Sequence, residues 1–83
     1  MYIVANHTIS HPEKFWHLAQ TAQIPGHLKL HCVFPSGDGA RGTCLWQADS
    51  VDAVKEFLDP LTSGLAKNDY MTVQAKNAVG LPK

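Results

Sequence analysis

The chain has 83 residues, 45% of them apolar and 17% charged, enough for one small domain spanning 1–83 and too apolar for a disordered segment. Seven basic and seven acidic residues cancel, so no electrostatic footprint of a nucleic-acid binder is expected. No apolar run approaches the ~20 residues of a membrane span, and Met1-Tyr2-Ile3-Val4 lacks the basic region of an export signal, so a cytoplasmic protein with no membrane partner is expected.

Tyr2 to Ile9 is rich in β-branched residues and reads as a first strand. Ser10-His11-Pro12-Glu13 reads as a helix start, with Ser10 as cap, Glu13 closing a capping box and Pro12 in the first turn. Phe15, Leu18, Ala19 and Ala22 recur at helical spacing, and Pro25-Gly26 ends that helix. His27 to Pro35 reads as a second strand and Gly42 to Ala48 as a third. The turn chemistry of Ser36-Gly37-Asp38-Gly39 joins them in a hairpin. Asp49-Ser50 offers caps to a second helix with Val51, Val54, Phe57, Leu58 and Leu61 on its apolar side. Pro60 is expected to limit or kink that helix near Asp59. Asp69 to Lys76 reads as a fourth strand and Asn77 to Lys83 as an irregular tail.

The order βαββαβ predicts a ferredoxin-like α+β sandwich, a four-stranded antiparallel sheet with two helices on one face. Strand alternation then sorts the side chains by face. Collecting apolar residues under the helices places Ile3, Ala5, His7 and Ile9 there, with Leu28, Leu30, Cys32, Phe34, Cys44, Trp46, Ala48, Met71, Val73 and Ala75. The open face takes Tyr2, Val4, Asn6, Thr8, Lys29, His31, Val33, Thr43, Leu45, Gln47, Tyr70, Thr72 and Gln74. The sorting assumes a regular hairpin register, which a bulge would undo. Tyr2, Val4, Val33, Leu45 and Tyr70 would form an apolar patch too large to stay wet, so a homodimer through this face is expected. Pairing of two such sheets would enclose a cavity for a small-molecule ligand.

His31 is the foremost candidate within that cavity, as a base or a ligand, because imidazole titrates near neutral pH. Asn6, Gln47 and Tyr70 would accompany it as hydrogen-bonding groups; an ordinary half-wet sheet surface explains the same four residues without function. A transition-metal site built on His7 and His31 with one cysteine is the metal alternative, although the ligand spacing is not that of a compact metal motif. Cys32 and Cys44 fit reduced thiols, and on the covered face they read as inert packing.

Three stretches carry a family resemblance: Leu28-Lys29-Leu30-His31-Cys32-Val33-Phe34; Cys44-Leu45-Trp46-Gln47-Ala48 with Ser50-Val51-Asp52-Ala53-Val54; and Asn68 to Val73. Together they cover roughly half the chain, and they resemble the dimeric α/β-barrel superfamily, in particular a branch of short bacterial proteins that includes a nickel-binding member. The resemblance implies sheet-to-sheet pairing, with His31 matching a strand histidine that faces the site. That branch carries a charged residue in the first strand where Asn6-His7 stand here. The wider superfamily includes cofactor-free monooxygenases and isomerases, which implies an enzyme alternative with His31 as base and Asn6 or Tyr70 steadying an oxyanion. The nickel-binding member implies nickel or another transition metal as the alternative cofactor. Fold alone does not choose among these.

Overall fold

The computed structural model describes residues 1–82. Its elements follow the expected order: β1 (Tyr2–Ile9), α1 (Pro12–Thr21), β2 (Lys29–Pro35), β3 (Arg41–Gln47), α2 (Val51–Leu61) and β4 (Ala66–Thr72), then a short 3-10 turn at Ala75–Asn77. The strands form one antiparallel sheet in the order β2-β3-β1-β4, a ferredoxin-like arrangement. The core lies where α2 meets the two central strands: Ile3 and Ala5 of β1, Cys44 and Trp46 of β3, and Val54 and Leu58 of α2 are buried together. Phe15 of α1 is buried further along the same face, its ring centroid 5.0 Å from that of His7. Among the described residues no helix is long and apolar enough to cross a membrane.

The helix termini follow from local chemistry, with two differences from expectation. Ser50 caps α2 by accepting the Ala53 backbone N–H at 3.1 Å. Ser10 closes no capping box: α1 starts on His11 with no side-chain cap, and the Ser10 hydroxyl donates instead to the Leu65 carbonyl at 3.0 Å. Ser10 therefore ties the end of β1 to the loop before β4. Helix α2 also runs through Pro60 to Leu61. Pro60 withholds one N–H from the carbonyl of the exposed Glu56, where solvent replaces it, and Thr62 closes the end by bonding the Leu58 carbonyl through both its backbone N–H and its hydroxyl.

Two strands differ from the sorting by alternation. In the β2–β3 ladder, Leu30 pairs with Trp46 but Cys32 pairs with Leu45, so His31 is the extra residue of a bulge. Beyond it the faces are exchanged. Val33, opposite Cys44, packs against the core, whereas Cys32 lies on the open face with Leu45, and Phe34 is 63% exposed. Cys32 and Cys44 thus lie on opposite faces, not together under the helices.

Strand β4 begins at Ala66 rather than Asp69 and has the opposite phase to that expected. Pairing of Ala5 with Tyr70 and His7 with Asn68 turns Tyr70 and Asn68 toward the helices, and Met71, opposite Val4, outward at 55% exposure. Inward polar side chains are tolerated because each is satisfied: Asn68 bonds His7, Asp59 and Thr62, and the Tyr70 hydroxyl bonds Asp59. Val73 and Ala75 lie beyond the strand.

Candidate functional site

The open face separates the residues expected to line one cavity. His31 Nε2–H donates to Gln47 Oε1 at 3.0 Å, and the Tyr2 ring lies 5.6 Å from the imidazole, centroid to centroid. Tyr2 in turn donates to the Pro82 carbonyl at 3.1 Å, so the tail closes over that end of the sheet. Asn6 stands four residues along β1, about 13 Å from Tyr2 at strand rise, where it accepts the Thr43 hydroxyl at 2.8 Å. Tyr70 is on the other face of the sheet, against α2, and is not a partner of Asn6, His31 or Gln47.

His7 and His31 do not converge. The regular β1–β3 ladder turns His7 under the helices, while the bulge presents His31 on the open side. Both ring nitrogens of His7 are already engaged by protein groups. No group of three or more His, Cys, Asp or Glu side chains is placed to hold a metal among the described residues. The His7 and His31 ligand set therefore does not fit nickel or another transition metal.

A different cluster assembles beneath the helices. Register places His7 of β1 opposite Asn68 of β4 and diagonally across from Cys44 of β3, which pairs with Ala5, on the three strands that share the centre and one edge of the sheet. Cys44 Sγ lies 3.1 Å from His7 Nε2, and His7 Nδ1 lies 2.5 Å from Asn68 Oδ1. Behind Asn68, its Nδ2 donates to Asp59 Oδ1 at 3.1 Å and to Thr62 Oγ1 at 2.8 Å. The Tyr70 hydroxyl donates to the same Asp59 oxygen at 2.6 Å, and Lys55 lies 3.6 Å from the other.

The proton positions follow by elimination. An ionised carboxylate only accepts, so Asp59 fixes the amide of Asn68 with Nδ2 toward itself and Oδ1 toward His7. His7 must then carry its proton on Nδ1, which leaves the Nε2 lone pair facing the Cys44 thiol. Trp46 Nε1–H, a donor only, points at Cys44 Sγ from 2.9 Å, so the sulfur accepts from Trp46 and donates to His7. The thiol proton has a second, longer acceptor in the Ala5 carbonyl at 3.7 Å.

Burial sets the charge state. His7 is 4% and Cys44 2% exposed. Desolvation holds the imidazole below its ordinary value of 6.5, partly offset by the bond to Asn68, and pushes the thiol up to about 11 against the opposing Trp46 bond. The Tyr70 hydroxyl bond holds the Asp59 carboxyl below its usual range, with Asn68 and Lys55 adding to the effect. The pair at rest is thus neutral imidazole and neutral thiol, backed by an anion one amide away.

An apolar cleft between α1, α2 and the sheet is lined in part by this pair. Leu18, Ala22, Ile24 and Phe57 line it, and His7, Cys44, Trp46 and Thr62, which carry polar atoms, belong to the same lining. The cavity holds about 50 Å³. Two tryptophan contacts shape its surroundings. Trp46 fills the core beside it, and Trp16 folds over the hairpin, its Nε1–H donating to the Gly39 carbonyl at 2.8 Å. Gly42, opposite His7, makes that approach possible: a Cβ there would stand 2.8 Å from the Trp16 ring.

Strand alternation places His7 and Cys44 correctly on the covered face, but the local pattern gives Cys44 as packing and His7 as a metal ligand with His31, and it places Asn68 before the strand. The one local signal was the Cys44-x-Trp46 spacing, which puts an indole donor beside a thiol on one strand face. No protein-family model matches the chain, and no curated protein or solved structure matches it.

Proposed function

We propose that this chain is a small-molecule-binding domain whose ligand enters the apolar cleft between the helices and the sheet and meets Cys44 and His7. The supporting observation is that the hydrogen-bonded pair His7 and Cys44, with Thr62, lines an otherwise apolar cleft, the usual composition of a small-ligand site. Its size sets the ligand class. A cavity of about 50 Å³ is far smaller than the ~150 Å³ that accommodates benzene, so the group that enters is a short alkyl or acyl chain, with any larger part of the molecule outside. Titration with butyramide, an unreactive short-chain amide, followed through methyl resonances, checks this. Shifts at Leu18, Ala19, Ala22 and Leu61 are expected; shifts confined to Val4, Leu45 and Met71 would move the site to the open face.

A separate observation favours a second reading, in which two copies pair sheet to sheet. Cys32, Leu45, Val4 and Met71 lie in register and form one apolar row across all four strands, and Phe34 extends it on the next row. Val4, Cys32 and Leu45 are half-buried and Met71 and Phe34 exposed, and a contiguous apolar row open to solvent is the pattern of a surface that associates. In such a homodimer, of the kind formed by dimeric α/β-barrel proteins, Tyr2, Asn6, His31 and Gln47 would face the partner copy.

A further inference from the structure

We propose that Cys44 is a nucleophile, served by His7 as general base and by Asn68 as a positioning residue, that accepts the acyl group of a short apolar ester or thioester seated in the cleft. The inference rests on the cleft being the ligand site and adds a covalent step to it. The arrangement has the parts that nucleophilic catalysis requires: a nucleophile within hydrogen-bond reach of a base, and a third group orienting that base. Here the orientation is enforced from behind, because Asp59 and Thr62 hold the Asn68 amide and the amide holds the His7 tautomer.

The step balances without an oxidant or reductant. As Sγ bonds to the acyl carbon, the thiol proton passes to His7 Nε2. The bond from the acyl carbon to the leaving oxygen or sulfur then breaks, and His7 returns the proton to that leaving group as an alcohol or thiol. Water completes the cycle: His7 takes a proton from it, hydroxide adds to the acyl carbon, the carbon–sulfur bond breaks, and Cys44 recovers its proton while the carboxylic acid departs. At the charged stage the sulfur has the Trp46 N–H and the imidazolium N–H as donors, and the imidazolium keeps its Nδ1–H on Asn68. Apolar surroundings disfavour a standing thiolate–imidazolium pair, so the proton moves with bond formation rather than before it.

The groups around His7 limit what its titration can report. Helix α1 supplies Phe15, β3 supplies Cys44, β4 supplies Asn68, and the end of α2 supplies Thr62 through Asn68. The charges joined to it through Asn68 are Asp59 and, paired with Asp59, Lys55; the neutral Tyr70 hydroxyl also bonds Asp59. A pH profile that levels off above the His7 titration therefore belongs to this pair.

The test uses the full chain carrying Cys32→Ala, which removes the open-face thiol, with 4-nitrophenyl butyrate as acyl donor. Acyl adducts are located by intact mass and peptide mapping, and rates are read from nitrophenolate release. The expected result is an adduct on Cys44 with a rate that rises through the His7 titration and is flat to pH 9. His7→Gln should slow it by ~10²-fold or more and convert the profile to one climbing through pH 9 toward the free thiol at about 11. Asn68→Ala should lower the rate and shift the inflection, whereas a purely structural Asn68 would leave the inflection in place. No adduct on Cys44 overturns the proposal, as does a His7→Gln rate equal to the parent's. If His7→Gln fails to fold, the parent profile decides: a rate still climbing tenfold per pH unit at pH 9 overturns it. Methyl shifts with butyramide but no adduct leave the binding site standing without its chemistry; neither shifts nor adduct removes both.

Discussion

His7 couples the site to acid stability. Because burial holds its folded value below 6.5, the unfolded chain takes up a proton that the native chain refuses as pH falls past that value. Stability is therefore full above 6.5 and is lost progressively between there and the lower folded value. Asp59 adds a second, more acidic limb. Its carboxyl is held below its ordinary value of 3.8, so its contribution is present above that value and lost as pH drops toward the folded one. Melting temperatures measured from pH 8 to 3 should show both limbs, and His7→Gln should abolish the upper one while leaving the lower. A parent curve flat between pH 7 and 5 would mean that His7 is protonated in the native chain.

Among the elements, the two helices are started by different means. Helix α2 has a side-chain cap in Ser50, and α1 has Pro12 in its first turn with no side-chain cap. Ser50→Ala should accordingly destabilise the fold by ~1 kcal/mol in urea unfolding, the usual cost of losing such a cap. Ser10→Ala removes the bond to Leu65 rather than a cap. Its effect should appear as faster amide exchange at Leu65 and Ala66, with α1 protection unchanged; loss of α1 protection would reinstate Ser10 as the cap. The bulge at His31 acts on the rest of its strand: one extra residue turns Val33 inward and Cys32 and Phe34 outward.

For the whole molecule the open face is the decisive surface. A domain of this size buries only ~60% of the surface its unfolded chain exposes, and this one leaves an apolar row uncovered on its sheet. Leu45 sits inside that row, between Cys32 and Val4, so Leu45→Asp puts a charge at its centre. By light scattering at micromolar concentration, the parent is expected at twice the chain mass and the variant at the monomer mass, with unchanged circular dichroism. A parent already monomeric would end the pairing proposal.

Element order, the ferredoxin-like topology and the faces of β1 and β3 were legible in the residues, because helical spacing, strand alternation and turn chemistry act over a few neighbours. The phase of β4 was not. Met71 and Val73 look like core residues, and only the partners of Asn68 and Tyr70 across the sheet and on α2 reverse that preference. Nor was the bulge, since nothing local distinguishes His31 from its neighbours as the extra residue. The sequence by itself therefore determined the layers and which of them is bare. Tertiary structure decided that Cys44 meets His7 across 37 residues and His7 meets Asn68 across 61. Such meetings depend on strand register, and register is settled by the joint burial and hydrogen bonding of distant segments rather than by any one of them.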